Sequence, residues 1–386
     1  MLFTLEALDA SEGDCLLLLY GTARQPRLVV IDGGPRSTCD AALLPRLLAL
    51  RSAFPADAPL PVELLVVTHV DSDHIAGVVA LTGRLLELRA AGAEPPLVIK
   101  ELWHNSFDGV LGEQQVRRAI DFVNRLSEAE TSADVVASAS EGRKLHDDAV
   151  ALGMAINAEF ADLVARADDG GVQVPCGDGL TLTVLGPARQ QLDDFRREWD
   201  ATLGKQASAH GQVAATPDTS RPNLASIVLL AECRGRSMLL AGDARGDHIL
   251  AGLEAAGKLP PGGTMHIDVF KLPHHGSCRN NSEELLQRVT ADTYVISANG
   301  KHANPDRETL ERLAVARGVT QYTVVCTFPE AAYKLVKPDA AGAEERREAL
   351  LGFHEWAQRQ TARGVTIRYR EASALSLAIE LGDEEL

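Results

Sequence analysis

No Cys-x-x-Cys pair occurs anywhere in the sequence. Its six cysteines, Cys15, Cys39, Cys176, Cys233, Cys278 and Cys326, are scattered, most of them in or near apolar stretches. This excludes a disulfide framework and fits small buried hydrophobes in a reducing compartment. Long apolar runs are missing as well. The longest near the N-terminus, Cys15–Tyr20, is too short for a signal-peptide core or a membrane span, and no basic leader precedes it. The expectation is a cytoplasmic protein without a membrane segment. Positive charge is scarce: 38 Lys and Arg stand against 54 Asp and Glu, a formal net charge of −16. A broad basic surface for non-specific nucleic-acid binding is thereby excluded, and a nucleic-acid substrate needs a local basic groove. No internal repeat of short period is present.

What is there, over 386 residues of which 45% are hydrophobic, suffices for one large domain with insertions or two modest ones. Short apolar runs recur, each followed by a polar or glycine-rich turn: Cys15–Tyr20, Leu28–Ile31, Leu64–Val67, Leu97–Ile99, Leu180–Leu185, Ile227–Ala231, Met238–Ala241, Ile267–Leu272 and Tyr294–Ser297. These are signatures of buried strands. Helical patterns at Ala41–Leu50, Ala76–Arg89 and Glu283–Val289 alternate with them, so the class is α/β with layered sheets. A single domain over 1–386 is expected, with a helical insertion at 113–167. Amphipathic stretches Val116–Leu126 and Asp148–Val164, separated by small residues at Thr131–Gly142, suggest a hairpin or lid. It is a solvated decoration, a substrate cover or a surface for a protein partner. Ser208–Pro222 has no period and reads as a mobile loop. In the tail, 331–386, a helix at Ala343–Arg363 and strands at Val365–Tyr369 and Ala374–Leu381 are placed to close a sheet edge.

Directly after the run Leu64–Val67 stand His69, Asp71, Asp73 and His74. Four metal-ligand side chains at one strand exit are costly as packing unless paired or metal-bound, and one short loop can present them to two adjacent ions. Metal-assisted hydrolysis is the implied chemistry. Other strand exits carry Asp32, Asp243, His274, His275 and His302, and sites in layered α/β folds collect at such exits.

With these motifs the chain resembles the metallo-β-lactamase-fold hydrolases, and among them the soluble hydrolase domain of the ComEC-type DNA-uptake proteins. The resemblance is carried by Gly13-Asp14-Cys15, Ile31-Asp32-Gly33-Gly34, the His69 motif, Asn223 with Ser226, Leu240-Ala241-Gly242-Asp243, Leu272-Pro273-His274-His275-Gly276-Ser277 and Ser297-Ala298-Asn299 leading to His302. It implies a four-layered αββα sandwich with a two-metal site along the top edge of its sheets. By the family pattern His69 and Asp71 serve one ion and Asp73 and His74 the other, with Asp243 bridging. His274 or His275 completes the second site. Most of the superfamily carries His where Asp71 stands and a further His near Asn223 and Ser226. The more oxygen-rich set makes manganese or magnesium competitive with zinc, the expected metal. The membrane-spanning segments of the ComEC-type proteins are absent, so a free-standing hydrolase-like domain is expected.

Two readings stand for several residues. Asp32 either caps its glycine turn or orients a ligand histidine. His302 is either an exposed side chain or a proton donor to the leaving group. His104 packs in the core or on the surface, or meets substrate. Lys271 and Arg279 are solvated charges or contacts for an anion. The leading function is a phosphodiesterase or nuclease in which a bridging hydroxide attacks phosphorus, acting on a nucleotide or nucleic acid. The alternatives are hydrolysis of a carboxylic ester, lactam or thioester, and a non-catalytic, metal-stabilised interaction module.

Overall fold

A computed structural model describes residues 1–52, 58–106, 130–167, 169–193, 197, 225–340 and 342–385, with side chains from residue 140 in the helix that starts at Glu130. Two large sheets dominate. The first contains β1 (Leu2–Leu8), β2 (Leu16–Thr22), β3 (Gln25–Ile31), β5 (Leu64–Val67), β7 (Glu101–His104), β8 (Ala155–Ile156) and β17 (Ser376–Glu380), in the order β17-β1-β2-β3-β5-β7-β8. The second contains β9 (Val172–Gly177), β10 (Leu180–Gly186), β11 (Val228–Cys233), β12 (Arg236–Leu240), β13 (Met265–Lys271), β14 (Val289–Ile296), β15 (Thr323–Cys326) and β16 (Thr366–Tyr369), running from β16 to β9 in reverse sequence order. A small ladder pairs β4 (Leu60–Val62) with β6 (Leu97–Ile99).

Both faces of each large sheet are covered, which is why the strands read as nearly unbroken apolar runs. In β2, Leu16, Leu18 and Tyr20 enter the core between the sheets, where Phe3, Leu5, Leu182, Leu229, Met238 and Val269 also lie. Leu17 and Leu19 point the other way, toward helix α2 (Ser72–Ala90), and α1 (Leu44–Arg51) and α3 (Glu130–Leu152) complete that layer. The outer face of the second sheet packs on α4 (Gly246–Ala255), α5 (Glu283–Arg288), α6 (Arg307–Arg317) and α7 (Ala343–Thr361) through Leu253, Leu285, Leu313 and Trp356. Three apolar cores thus separate four layers: an αββα sandwich. Among the described residues no helix is long and apolar enough to cross a membrane.

Parallel pairing sets the position of the site. β3, β5 and β7 run parallel in register Ile31↔Val66 and Val67↔His104, while β12, β13 and β14 run parallel in the other sheet. Their C-terminal ends therefore open onto one edge, and the sheets meet there: Ile227 donates its N–H to the Thr68 carbonyl at 2.8 Å, and a side chain on Gly242 would strike Thr68.

Differences from the sequence expectations concentrate between residues 130 and 164. Thr131–Gly142 lies inside α3 rather than between helices, since its alanines favour a helix. Asp148–Val164 is not one helix. α3 stops at Leu152, β8 then joins the first sheet, and the following turn is tied down by Asn157 and Asn105, which bond the backbone of His104 and Val164. Leu145 and Ala149 of α3 are core residues, and Asp148 accepts from Thr82 of α2 at 2.8 Å. The described part of 113–167 is therefore woven into the outer layer. Val116–Leu126, Ser208–Pro222 and Asn223 lie outside the described residues. β1, β9, β15 and α6 form without having been read from the sequence.

Candidate metal centre

Asp32 follows β3 in a left-handed conformation, φ 56°, which opens the Gly33-Gly34 turn. The first turns of α2 lie directly on this turn. Gly33 donates to the His74 carbonyl and Gly77 to that of Gly34, at 2.8 and 2.9 Å, and a Cβ on either glycine would collide with backbone. Asp71 sits at the N-cap of α2 but makes no capping bond with its side chain. Its carboxylate instead approaches Nε2 of His69 at 3.5 Å. Asp73, in the first turn, reaches within 3.3 Å of His275 Nε2.

From the second sheet, β12 ends in Gly242-Asp243 and β13 in Pro273-His274-His275-Gly276. His274, His275 and Gly276 are all left-handed, with φ of 49°, 54° and 88°. For the two histidines this costs about 1–2 kcal/mol each. The turn is held by the His274 N–H on the Gly242 carbonyl at 3.0 Å and by Asn281 Nδ2 on the Pro273 carbonyl at 2.9 Å. Such over-determined strain places both imidazoles against Asp243.

Four imidazole nitrogens surround that carboxylate. Nε2 of His69, His274 and His275 lie 3.7, 3.6 and 3.8 Å from Asp243 Oδ2, and Nε2 of His74 lies 3.3 Å from Oδ1. The three separations from Oδ2 are too long for hydrogen bonds, and neither His74 Nε2 nor Oδ1 makes one. The His74 separation is that of atoms sharing an ion, since two ligands each about 2.1 Å from one metal stand about 3–3.5 Å apart, and the other three exceed it by a few tenths of an ångström. Nε2 of His69, His74 and His275, with Asp243 Oδ1, have no hydrogen-bond partner although all four residues are buried. Leaving such atoms unsatisfied costs about 1–3 kcal/mol apiece, so the cluster fits divalent ions.

The opposite nitrogens are all engaged. His74 Nδ1 meets Asp32 Oδ2 at 2.8 Å, His274 Nδ1 meets Asn280 Oδ1 at 2.9 Å, and His275 Nδ1 meets the Ser297 carbonyl at 3.0 Å. His69 Nδ1 lies 3.1 Å from Thr68 Oγ1, whose hydroxyl in turn donates to Asp32 Oδ2 at 2.7 Å. An Nδ1–H given to these acceptors leaves the Nε2 lone pair facing inward. Burial opposes charge on His275, yet Asp243, Asp14 and Asp73 outweigh it and raise its pKa to about 10. His74 is likewise raised, against burial, by Asp243, Asp32 and Asp73. Asp243, despite burial, is held well below the usual carboxylate range by His74, His274 and His275.

Two residues with no ligand role read from the sequence also belong here, Asp14 of the Gly13-Asp14-Cys15 motif and Lys271. Asp14, in the turn before β2, contributes to a second candidate ligand group with His74 and His275, beside the group His69, His74 and Asp243. Lys271 is not solvated: it is fully buried and ion-paired with Asp14 at 2.7 Å. An acid immediately before an apolar strand and a lysine ending another were the available signals. Arg279 is exposed. His302 is exposed in a left-handed turn, and its ring enters none of the described contacts of the cluster. Its loop is nevertheless fastened beside the His turn, by Asp306 N–H on the Gly276 carbonyl at 3.1 Å. His104 is core: buried between β7 and α3, with its pKa lowered to about 4 by desolvation. Ser226 is buried just before β11.

No protein-family model matches the chain. Over 135 residues it is 30% identical to ComE operon protein 3 of Bacillus subtilis (strain 168), a stretch covering 34% of this chain and 16% of that protein. The chain thus matches about a sixth of that relative's length. Among solved structures, Zn(2+)-bound PqqB from Methylobacterium extorquens overlays with a TM-score of 0.41 at 11% identity, covering 98% of this chain and all of that one. CmlA, a diiron β-hydroxylase from Streptomyces venezuelae, overlays at 0.37 and 13% identity over 97% of this chain and 54% of its own. Both overlays are loose.

Proposed function

We propose that this protein is a two-metal hydrolase of the metallo-β-lactamase type that cleaves phosphodiesters of nucleotides or short nucleic acids. The observation that carries this reading is the set of inward-facing Nε2 atoms of His69, His74 and His275 around Asp243, buried without hydrogen-bond partners while their Nδ1 atoms are all committed. Ions held there lower the pKa of water and stabilise charge on the transferring group. In this reading His69 and Asp71 would hold one ion, and Asp73, His74 and His275 the other, with Asp243 contributing to both; Nε2 of His274 and of His275 lie nearest the same Asp243 oxygen as that of His69. Zinc fits the imidazoles, while the carboxylates keep manganese and magnesium in competition.

Among the described residues, the cluster is exposed at Asp71, Asp73 and His274. The side chains of Asp71, Asp73 and His274 are 28, 31 and 27% exposed, whereas those of His69, His74, Asp243 and His275 are at 5% or less. Substrate therefore approaches over Asp71 and Asp73, and the buried histidines exclude bulk water behind it. In this reading His302, whose loop bonds the His turn through the Asp306 N–H, would pass a proton to the leaving group. The phosphodiester preference draws on the partial likeness to ComE operon protein 3 and on the sequence resemblance. A rim of carboxylates on a −16 chain favours short substrates.

The test is turnover of phosphodiester and carboxylic-ester reporters by metal-free protein reloaded with zinc, manganese or magnesium. Metal-dependent phosphodiester cleavage that is lost in a folded Asp243→Asn variant supports the proposal. Ester or thioester turnover alone would transfer it to acyl chemistry. Bound metal without any turnover would make the protein an interaction module.

A further inference from the structure

We infer that Asp14 is a metal ligand delivered by the turn between β1 and β2, with Lys271 fixing which of its oxygens is offered. The inference rests on the two-metal reading above and extends its ligand set. Asp14 is 1% exposed and Lys271 is completely buried. Asp14 Oδ2 takes the Lys271 ammonium at 2.7 Å, and the same ammonium donates to the Leu272 carbonyl at 2.9 Å. Oδ1 has no hydrogen-bond partner. His275 Nδ1 lies 3.5 Å from it and is already directed at the Ser297 carbonyl.

A purely structural ion pair does not account for that arrangement. Burying a carboxylate and an ammonium is repaid only when the remaining lone pairs are satisfied, and Oδ1 is left bare beside two imidazoles. Asp14, His74 and His275 each bring one ligand atom, all within 4.8 Å of one another. A cation among them satisfies the three at once. The turn is also built against the second site: the Asp14 N–H meets the Asp73 carbonyl at 3.3 Å, and Ser297 Oγ donates to the Gly13 carbonyl at 2.6 Å. A Cβ at Gly13 would collide with the Asp73 carbonyl, so only glycine lets the turn approach this closely.

Lys271 has two effects. With Oδ2 held by the ammonium, Asp14 offers a single oxygen. Its charge is also offset, so the ligand joins Asp73 and Asp243 without adding to the anionic total. A further oxygen makes the second site harder, favouring manganese there over zinc.

Calorimetric titration of the chelated 386-residue chain with Mn2+, together with melting curves with and without Mn2+, tests this. Wild type is expected to bind two ions. Asp14→Asn combined with Lys271→Met removes both members of the buried pair and avoids stranding either charge. This double variant should lose at least tenfold in affinity for one ion and keep the other. Lys271→Met alone leaves Asp14 uncompensated, so its melting temperature should rise more on adding Mn2+ than that of wild type. Two ions bound by the double variant with wild-type affinity, or equal melting gains for Lys271→Met and wild type, would overturn the inference. Fewer than two ions on wild type would instead remove the two-metal reading beneath it.

Discussion

Replacing Asp32 by Asn changes one oxygen to an NH2 group at constant shape, and its consequences follow along a short chain of bonds. Asp32 Oδ1 accepts the Thr68 N–H at 2.7 Å, and Oδ2 accepts from both Thr68 Oγ1 and His74 Nδ1. The amide oxygen of Asn can keep the first of these. Its NH2 group then faces two donors, and both must reverse. His74 has to present a lone pair at Nδ1, moving its proton to Nε2, the atom facing Asp243. Thr68 has to accept rather than donate, which turns its own hydrogen toward His69 Nδ1 at 3.1 Å and moves that ring's proton to Nε2 as well. One substitution thus protonates the inward nitrogens on both sides of Asp243. Loss of such a partner typically costs 10–100-fold in metal affinity, about 1.4–2.7 kcal/mol. The fold should survive, because Asn tolerates φ of 56° and no buried donor is abandoned. Competition with a chromophoric chelator measures the affinity of both ions, and long-range 1H–15N correlation of the imidazoles reports the tautomers. Wild-type affinity in a folded Asp32→Asn protein, with Nδ1–H retained on both rings, would refute the proposed link.

His302→Ala should lower turnover about 100-fold, within the range of general acid catalysis, while metal content stays at the wild-type value. Loss of metal in that variant would show that the residue holds the ions instead. The pH dependence of stability has a definite sign in the chelated protein. His275 is raised from 6.5 to about 10, so its contribution is complete below pH 6.5 and is lost as pH rises through 10. Asp243 is depressed from 3.8, so its contribution is present above that pH and is lost as pH falls. Chelated protein should therefore melt highest between about pH 4 and 6.5 and fall toward pH 10, whereas metal-loaded protein should hold its stability there. A flat chelated profile from pH 7 to 10 counts against the arrangement. With phosphodiester substrates, apparent affinity should fall with salt at a log–log slope of about −1 to −2. A steeper slope together with faster cleavage of long duplex would point to a basic track concealed by the summed charge.

The strands and the chemistry of their exits were legible in the sequence because both depend on local pattern. Doubly covered strands must be continuous apolar runs, so β5 could be read to the residue, and a carboxylate or histidine directly after such a run stands out. His69, Asp71, Asp73, His74, Asp243, His274 and His275 were recognisable on that basis. Residues 131–164 resisted because periodicity cannot reveal that a two-residue strand will join a sheet built by β7, or that Asp148 will be buried against Thr82. The tertiary structure alone decided how the exits meet. Parallel registers in two separate sheets bring Thr68 and Gly242 into contact, and only then do four Nε2 atoms surround one carboxylate. It alone removed Lys271 from water and set it against Asp14, 257 positions away in the chain (271 − 14). The physical reason is range: hydrophobic periodicity is written over a few residues, whereas the desolvation that makes an orphaned nitrogen or a buried ammonium meaningful arises only when distant segments exclude water together.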